Sequence, residues 1–340
     1  MSNISPISKL KYIMNDDPQI KKELIKTIQE ANLSDIQNLD EYYDFLKNML
    51  ISIPNGTKLL DDYAKKFYFI PSLSTYLRNN RIFNKWMSYF VEEYGKFFDT
   101  DESAKHIKKF FKDPKFHIND YYVPASGWKT FNQFFTRDVK PGKRPIDAMY
   151  DDRIIVSPVD GTFKEWTLIH GKEIDVKGIL VKINDFLVES KYKDHFQNGV
   201  CAHLYLDLND YHRFHVPVAG KVLEVKKIPG NVFLDVYKKD GILKEDPGEM
   251  LLIKEDRGLV ILETTFGLVA LIPIGMESVS SVNLLPDVDS YLYKGQMFGY
   301  FAYGGSQFAI LFENPNINFT AISEKHYLQG NRIANYRGTF

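Results

Sequence analysis

Side chains that could do chemistry together lie in three short segments, "SPVDGTF" with Asp160, "NDYHRFHVPVAG" with His212 and His215, and "YGGSQF" with Ser306. They supply a carboxylate, an imidazole and a hydroxyl, which is the set that activates a serine nucleophile. In that chemistry the carboxylate orients the imidazole and the imidazole takes the hydroxyl proton. The sequence therefore predicts a site built, in chain order, from Asp160, His215 and Ser306.

Each segment also has a plain structural interpretation. Asp160 followed by glycine is typical of a turn, and buried histidines are commonly structural. A zinc site from His203, Asp207, His212 and His215 is a further alternative. The spacing disfavours it, because residues three apart in a strand face opposite sides and no further His or Cys pair supports it. We expect no metal.

The segment "YGGSQF" interrupts two runs of strand character, "GQMFGYFAY" and "FAILFE". Glycines inside a strand pattern mark a bend or a close backbone approach, so Gly304 and Gly305 predict the turn of a simple hairpin. A nucleophile elbow would require glycine two residues after the serine, between a strand and a helix. Phe308 holds that position, which argues against an α/β-hydrolase.

The elements that would position these residues change in type near residue 125. Before it, apolar residues recur at helical spacing, as in "IFNKWMSYFVEEYGKFF", and predict a helical domain over residues 1–125. After it, short alternating runs with turn signals such as Asp160-Gly161 predict an antiparallel β domain over 126–340. The fold class predicted is α+β, with an N-terminal helical region followed by a sandwich or barrel-like sheet domain.

Composition excludes several function classes. The 340 residues carry 43 basic and 44 acidic side chains, so the net charge of −1 gives no general attraction to nucleic acid. Cys201 is the one cysteine and cannot form an internal disulfide. No signal peptide or transmembrane stretch is evident. We expect a cytoplasmic protein, with peripheral membrane contact as an open alternative.

Five blocks in order resemble the motifs of phosphatidylserine decarboxylases. They are "FNQFFTRDVKPGKRPID", "SPVDGTF", "DYHRFHVPVAGKV", "IGMESVSSV" and "KGQMFGYFAYGGSQFAILFE". The resemblance runs from about Trp128 to about Glu313. It implies a proenzyme that cuts itself between Gly305 and Ser306, giving a 1–305 β chain and a 306–340 α chain that stay associated.

The resemblance also implies the cofactor and the residue roles. Ser306 Oγ would attack the Gly305 carbonyl with Asp160 and His215 assisting, and the resulting ester would eliminate and hydrolyse to ammonia and a pyruvoyl group. That group would form a Schiff base with the substrate amine and accept the electrons released with CO2, without pyridoxal phosphate. His212 is similar to the histidine linked with the decarboxylation step.

The substrate stays open because the motifs depart from the common pattern. The usual Leu-Gly-Ser-Thr reads Gly304-Gly305-Ser306-Gln307, and "IGMESVSSV" is also unusual, so the expectation is that these changes line the substrate region. The long helical region resembles a branch that includes soluble decarboxylases of tryptophan and other aromatic amino acids. Phosphatidylserine and a free amino acid are thus both candidate substrates. A serine hydrolase keeping Ser306 intact and a β-sandwich binding module are more remote alternatives.

Two further features bear on partners. The basic segment "SAKHIKKFFKD" over 103–113 is a candidate membrane contact or the outer face of a packed stripe. The carboxylate of a free amino acid would need a cationic partner, for which Arg137, Arg144 and Arg213 are candidates. A homodimer formed through the helical region is a further possibility that the sequence leaves open.

Overall fold

The computed structural model describes residues 4–53, 62–105, 107–171, 173–176, 179–230, 236–245, 255–275, 281–303 and 306–338. Helices occupy most of the N-terminal part and antiparallel strands most of the remainder, which confirms the α+β prediction. The predicted boundary between domains near residue 125 stays a prediction. The helical region and one face of the sheet share a single apolar core.

The helices begin where the sequence offers caps. Ser5 and Asp17 accept hydrogen bonds from the first turns of two helices whose first residues are prolines, a position where proline's missing N–H costs nothing. The α-helices in the described residues are α1 (Pro6–Asp16), α2 (Pro18–Ala31), α3 (Leu39–Met49), α4 (Asp62–Ser72), α5 (Thr75–Asn79), α6 (Arg81–Phe97), α7 (Asp101–Ala104), α8 (Phe131–Phe135) and α9 (Ile183–Leu187). Short 3₁₀ helices span Ile107–Lys112, Pro114–Phe116, Ile118–Asp120 and Lys193–Phe196.

The strands form one large antiparallel sheet and three smaller ones. They are β1 (Ile154–Val156), β2 (Gly161–His170), β3 (Glu173–Val176), β4 (Ile179–Lys182), β5 (Val200–Leu206), β6 (Arg213–His215), β7 (Gly220–Ile228), β8 (Val236–Lys239), β9 (Ile242–Glu245), β10 (Arg257–Thr264), β11 (Gly267–Gly275), β12 (Ser281–Leu284), β13 (Tyr291–Leu292), β14 (Met297–Ala302), β15 (Ser306–Phe312), β16 (Ile317–Phe319), β17 (Lys325–Tyr327) and β18 (Arg332–Tyr336). The large sheet has the order β13-β7-β10-β11-β15-β5-β2-β3-β4, with β17 also on β2. The smaller sheets are β12-β14-β6, β1-β18-β16 and the β8-β9 pair.

Strand β15 lies inside the large sheet and is buried on both faces. It pairs with β11 on one side and with β5 on the other. Because successive side chains of a strand point to opposite faces, Phe308 and Ile310 enter the core shared with the helices, whereas Ala309 and Leu311 enter a second core. Ser306 shares its face with Phe308, so it points toward the helical side.

The hairpin predicted around "YGGSQF" is wrong. Strand β14 belongs to the β12-β14-β6 sheet, while β15 belongs to the large sheet, so the chain changes sheets between Ala302 and Ser306. The physical reason is that both edges of β15 are already taken by β11 and β5. The two strands that flank the glycines therefore do not pair with each other.

The basic segment 103–113 contains a 3₁₀ helix whose apolar side chains mostly face inward. Ile107 and Phe110 are buried, and Phe110 packs on Phe116 and Phe134. Phe111 remains partly exposed against Trp128. The described part of this segment thus resembles the outer face of a packed stripe more than an interfacial helix. Among the described residues, no helix has both the length and the apolar character needed to span a bilayer.

Candidate active site

Ser306 is the first residue of β15 and is fully buried. Its backbone lies opposite Gly275 of β11 and Leu206 of β5, so both neighbouring strands fix its position. Gly304 and Gly305 lie outside the described residues, and with them lies the carbonyl of the predicted cleavage site. The described geometry therefore concerns the serine and the groups around it.

His212 is the imidazole in contact with Ser306. Its Nδ1 lies 2.9 Å from Ser306 Oγ, and the histidine is fully buried. The residue directly precedes β6, and its carbonyl accepts a hydrogen bond from Phe301 N–H of β14. The ring of Phe135, at the end of α8, stacks on the imidazole with centroids 3.8 Å apart. Two elements thus hold the imidazole against the hydroxyl.

The surroundings of His212 keep its ring neutral. Burial lowers the pKa of His212 to about 3, and the positive charge of Arg137 acts in the same direction. The negative charge of Asp210 and the nearby backbone of Asp207 and Leu208 oppose that shift. Nε2 is buried without a hydrogen bond of good geometry. A neutral imidazole beside a hydroxyl can accept the hydroxyl proton.

His215 occupies a different network. Its Nδ1 donates to Gly295 O at 2.8 Å, and its Nε2 lies 3.1 Å from Tyr211 Oη. Since Nδ1 carries the proton, the tyrosine hydroxyl donates to Nε2. Burial lowers the pKa of His215 to about 4. Both ring nitrogens are therefore occupied, and neither bonds Ser306.

The strand that carries His215 depends on a close approach at Gly299. Phe214 of β6 lies opposite Gly299 of β14, and the register shifts between Met297 and Gly299. A Cβ at Gly299 would collide with the Phe214 ring and with Asn283 O. Glycine at this position therefore lets β6 lie against β14, with His215 at the end of β6 and His212 directly before it.

Asp160 lies in a third network, centred on Arg144. Arg144 Nε lies 2.8 Å from Asp160 Oδ1 and Arg144 Nη2 lies 2.5 Å from Oδ2, while Gln329 N–H also donates to Oδ1. Burial raises the pKa of Asp160, and Arg144 and the Gln329 amide oppose that shift. The carboxylate raises the pKa of Arg144, which stays a cation. Arg144 also contacts Asp120 and Tyr121 Oη.

The structure therefore brings together only part of the predicted set. Ser306 and His212 are in direct contact, whereas Asp160 bonds Arg144 and His215 bonds Tyr211 and Gly295. The two imidazoles diverge, as the three-residue spacing predicts. The catalytic roles of Asp160, His212, His215 and Ser306 stay predictions. Of the two histidines, His212 is the one that contacts the serine.

The residues proposed as metal ligands do not converge. His203 Nε2 lies 2.5 Å from Gln307 Oε1, on the opposite face of β15 from Ser306, while His212 bonds Ser306. In the described residues no group of three or more His, Cys, Asp or Glu side chains is arranged to hold a metal ion. The contact of Gln307 with His203 also means that this departure from the family motif does not face the Ser306 side.

The three arginines considered as carboxylate partners are engaged elsewhere. Arg137 is buried and donates to the carbonyls of Asn209 and Asp210. Arg144 pairs with Asp160, and Arg213 bonds Thr136 O and Asp138. A substrate carboxylate would have to compete with these partners for any of the three.

Sequence reasoning missed several residues of this site. Tyr211, Phe135 and Gly295 contact the two histidines, and Arg144 contacts Asp160. All four lie inside the motif blocks, and the sequence analysis considered Arg144 only as a partner for a substrate carboxylate. Membership of a block did not reveal the contacts themselves, because those of Phe135 and Gly295 join segments about 80 residues apart in the chain.

Comparison with known proteins adds an independent finding. A sequence profile of the phosphatidylserine decarboxylase family matches residues 131–335, which contain Asp160, His212, His215 and Ser306. The matched span begins with α8 and ends in β18, so it covers the described sheets.

Curated relatives agree with the profile. The chain is 34% identical to phosphatidylserine decarboxylase proenzyme 2 of Oryza sativa subsp. japonica, over 68% of this chain and 37% of that protein. It is 30% identical to the phosphatidylserine decarboxylase proenzyme of Fusobacterium nucleatum, over 76% of this chain and 84% of that protein. It is 31% identical to phosphatidylserine decarboxylase proenzyme 3 of Schizosaccharomyces pombe, over 71% of this chain and 25% of that protein. The chain thus spans just over a third of the rice relative and most of the bacterial one.

Proposed function

Because the chain belongs to the phosphatidylserine decarboxylase family of carboxy-lyases, we propose that it cuts itself before Ser306 and decarboxylates phosphatidylserine to phosphatidylethanolamine. The observation that carries the proposal is the contact between a buried serine hydroxyl and a buried neutral imidazole at the start of a central strand. The family resemblance implies that this serine follows the cleaved bond.

The cutting step uses groups of this chain. Ser306 Oγ attacks the carbonyl carbon of Gly305 while a base takes the hydroxyl proton, and the acyl group moves from nitrogen to oxygen. Elimination then breaks the Cβ–Oγ bond of Ser306 and releases the carboxylate of Gly305. Hydrolysis of the dehydroalanine left behind gives ammonia and the pyruvoyl group. The paired strands β11 and β5 hold Ser306 during this step.

His212 and His215 are both candidate bases, and a different observation favours each. The 2.9 Å contact with Ser306 Oγ favours His212. The family resemblance favours His215, which would have to exchange its Tyr211 contact for one with the serine. Asp160 is proposed to contribute to cutting indirectly, by holding Arg144 in place. The guanidinium of Arg144 bonds both the Asp160 carboxylate and Tyr121 Oη.

Decarboxylation would take place where the Ser306 side chain now lies. A pyruvoyl group at that position would supply a ketone that condenses with the substrate amine and accepts the electrons released with CO2. His212 faces that position, so its ring is placed to return a proton to the substrate carbon. Phe135 covers one face of the imidazole and keeps water from it. No metal is part of the proposal.

The substrate assignment follows the relatives' names, and the alternative is a free amino acid such as tryptophan. The engagement of Arg137, Arg144 and Arg213 does not separate the two, because the serine headgroup of phosphatidylserine carries the same amine and carboxylate as a free amino acid. The assignment of phosphatidylserine implies contact with a lipid surface. The two cut chains are proposed to stay associated through the pairing of β15 with β11 and β5.

Intact mass spectrometry of the purified protein tests the cutting step. We expect a piece spanning 1–305 of roughly 35 kDa and a piece spanning 306–340 of roughly 4 kDa, the latter lacking an ordinary serine at its start. A serine hydrolase or a binding module would remain one chain of 39.5 kDa. Active protein recovered whole, with Ser306 unmodified, would contradict the proposal.

A second measurement tests the substrate. CO2 release is followed with vesicles containing phosphatidylserine, with soluble short-chain phosphatidylserine and with a panel of free amino acids including tryptophan. We expect release from both lipid forms and none from the amino acids. Release from a free amino acid alone would replace the lipid assignment while leaving the cutting step in place.

A further inference from the structure

The short helix α8 contacts both halves of the candidate site. Its last residue, Phe135, stacks on His212, and its second residue, Asn132, bonds the chain just before Ser306. The helix is itself fixed at its start, because Thr130 Oγ1 accepts from Gln133 N–H and Gln133 Oε1 accepts from Lys129 N–H. A five-residue helix held in this way is a firm support for side chains on either side of it.

Asn132 forms hydrogen bonds with two neighbouring segments, the chain at Tyr303 and the chain at Phe98 and Asp99. Its Oδ1 accepts from Tyr303 N–H at 2.9 Å, and its Nδ2 donates to Asp99 Oδ1 at 2.9 Å. Its backbone N–H donates to Phe98 O at 3.0 Å. A carboxylate only accepts hydrogen bonds, so Asp99 fixes the amide with its nitrogen outward and its oxygen toward Tyr303. The acceptor for Tyr303 is thereby set by the helical region.

Aromatic rings hold the same segment. The ring of Tyr303 lies 4.2 Å from Phe98 and between 5.4 and 5.6 Å from Phe131 and Phe135, measured between centroids. Tyr303 precedes Ser306 by three residues, and it follows β14 directly. The chain is therefore anchored at Tyr303 on one side of the predicted cleavage site and at β15 on the other.

We propose that Asn132 is a positioning residue for self-cleavage, which fixes the chain entering the cleavage site at Tyr303 while Phe135 of the same helix fixes His212. The inference rests on the proposed cutting function. It gives the N-terminal helical region a role in the reaction, because Asp99 and Phe98 orient Asn132. Misplacing reacting groups by about 1 Å can slow a reaction about 100-fold, which sets the expected effect.

The test follows fresh precursor through a pulse and chase in cell-free translation, with cut and uncut chains separated on a gel. We expect Asn132→Leu, which removes both side-chain hydrogen bonds while keeping the same branched arrangement of heavy atoms, to slow cutting about 100-fold or more. The matched control is Asn314→Leu. Asn314 Oδ1 also accepts a backbone N–H and Asn314 Nδ2 donates to Phe266 O, but it lies past the far end of β15. The control should cut at the wild-type rate.

A pair of exchanged variants keeps the test independent of folding. Asn132→Asp places two carboxylates against each other and should slow cutting at least about tenfold. Adding Asp99→Asn restores the pattern, because the amide introduced at position 99 can donate to the carboxylate that accepts from Tyr303. We expect the double variant to recover to within about threefold of Asp99→Asn alone. General loss of stability would not be repaired by exchanging the two side chains.

The outcomes separate this inference from the proposed function. Wild-type chain that never cuts overturns both. Wild-type chain that cuts, together with folded Asn132→Leu that cuts equally fast, overturns the positioning role alone. If Asn132→Leu does not fold, the exchanged pair decides, and a double variant as slow as Asn132→Asp overturns the inference.

Discussion

Two histidines three residues apart in one segment have opposite surroundings. His212 is fully buried, has an aromatic ring on one face, contacts a serine hydroxyl and has one nitrogen without a well-formed hydrogen bond. His215 is less buried and has both nitrogens bonded, one to a carbonyl and one to a tyrosine. The first directs its Nδ1 at the serine, while the second has both nitrogens bonded to other groups.

The comparison shows how one strand can separate two roles. Strand β6 turns the two imidazoles to different sides, so one reaches the large sheet at Ser306 and the other reaches the Tyr211 and Gly295 groups. A pKa shift alone does not distinguish them, because burial lowers the pKa of both rings. The contacts distinguish them, and variants of each can test whether the distinction is functional.

The largest expected effect is that of Ser306→Ala, which removes the group that both histidines would serve. Without the hydroxyl no acyl shift occurs, so we expect no cutting and no CO2 release. Mass spectrometry should show one chain of about 39.5 kDa. Ser74→Ala, which removes another buried hydroxyl in the helical region, is the control and should cut normally. Any cut Ser306→Ala chain would show that cutting does not need the Ser306 hydroxyl, so neither histidine would act on it.

The next effect is that of His212→Ala. General acid–base groups contribute about 10²- to 10⁴-fold, so CO2 release should fall at least about 100-fold. The same samples are examined for cutting. Cut but inactive chains would restrict His212 to decarboxylation and leave His215 as the base. Uncut chains would make His212 the base as well, and near-normal CO2 release would refute any role for it.

A smaller effect is expected of His215→Ala. Loss of the bonds to Gly295 and Tyr211 loosens β6, and loss of a base would add to that, so cutting should slow at least about tenfold. Tyr211→Phe removes only the hydroxyl partner and separates the two causes. If Tyr211→Phe is as slow as His215→Ala, the network matters more than the imidazole. Cutting at the wild-type rate in both variants would show that this network is not needed.

The smallest effect is that of pH. A pKa lowered to about 3 or about 4 means that either imidazole is neutral above about pH 5 and becomes protonated only below that. Since the neutral form is the base, the cutting rate should rise with pH up to about 5 and then change less than about twofold up to about pH 8. The measurement is the pulse and chase at several pH values. A rise centred near about pH 6.5 would mean that the acting histidine is exposed to water during cutting.

Sequence patterns predicted the local elements well and their long-range arrangement less well. The α+β class follows from the change in periodicity near residue 125, and β15 follows from "FAILFE". The predicted hairpin failed because pairing depends on which strand edges are free, and the edges of β15 are filled by β11 and β5, which no local pattern reveals. The same limit applies to the serine's partner, since His212 and His215 differ only by how β6 is turned.

The burial of β15 determines what happens once the bond before Ser306 is broken. The short C-terminal piece would remain paired with each of two flanking strands through seven residue pairs. Its Gln329 N–H would still donate a hydrogen bond to Asp160. Pulling it out would require opening the middle of the large sheet. Severed and unsevered molecules should therefore melt as single units, and separating the two polypeptides should require full denaturation.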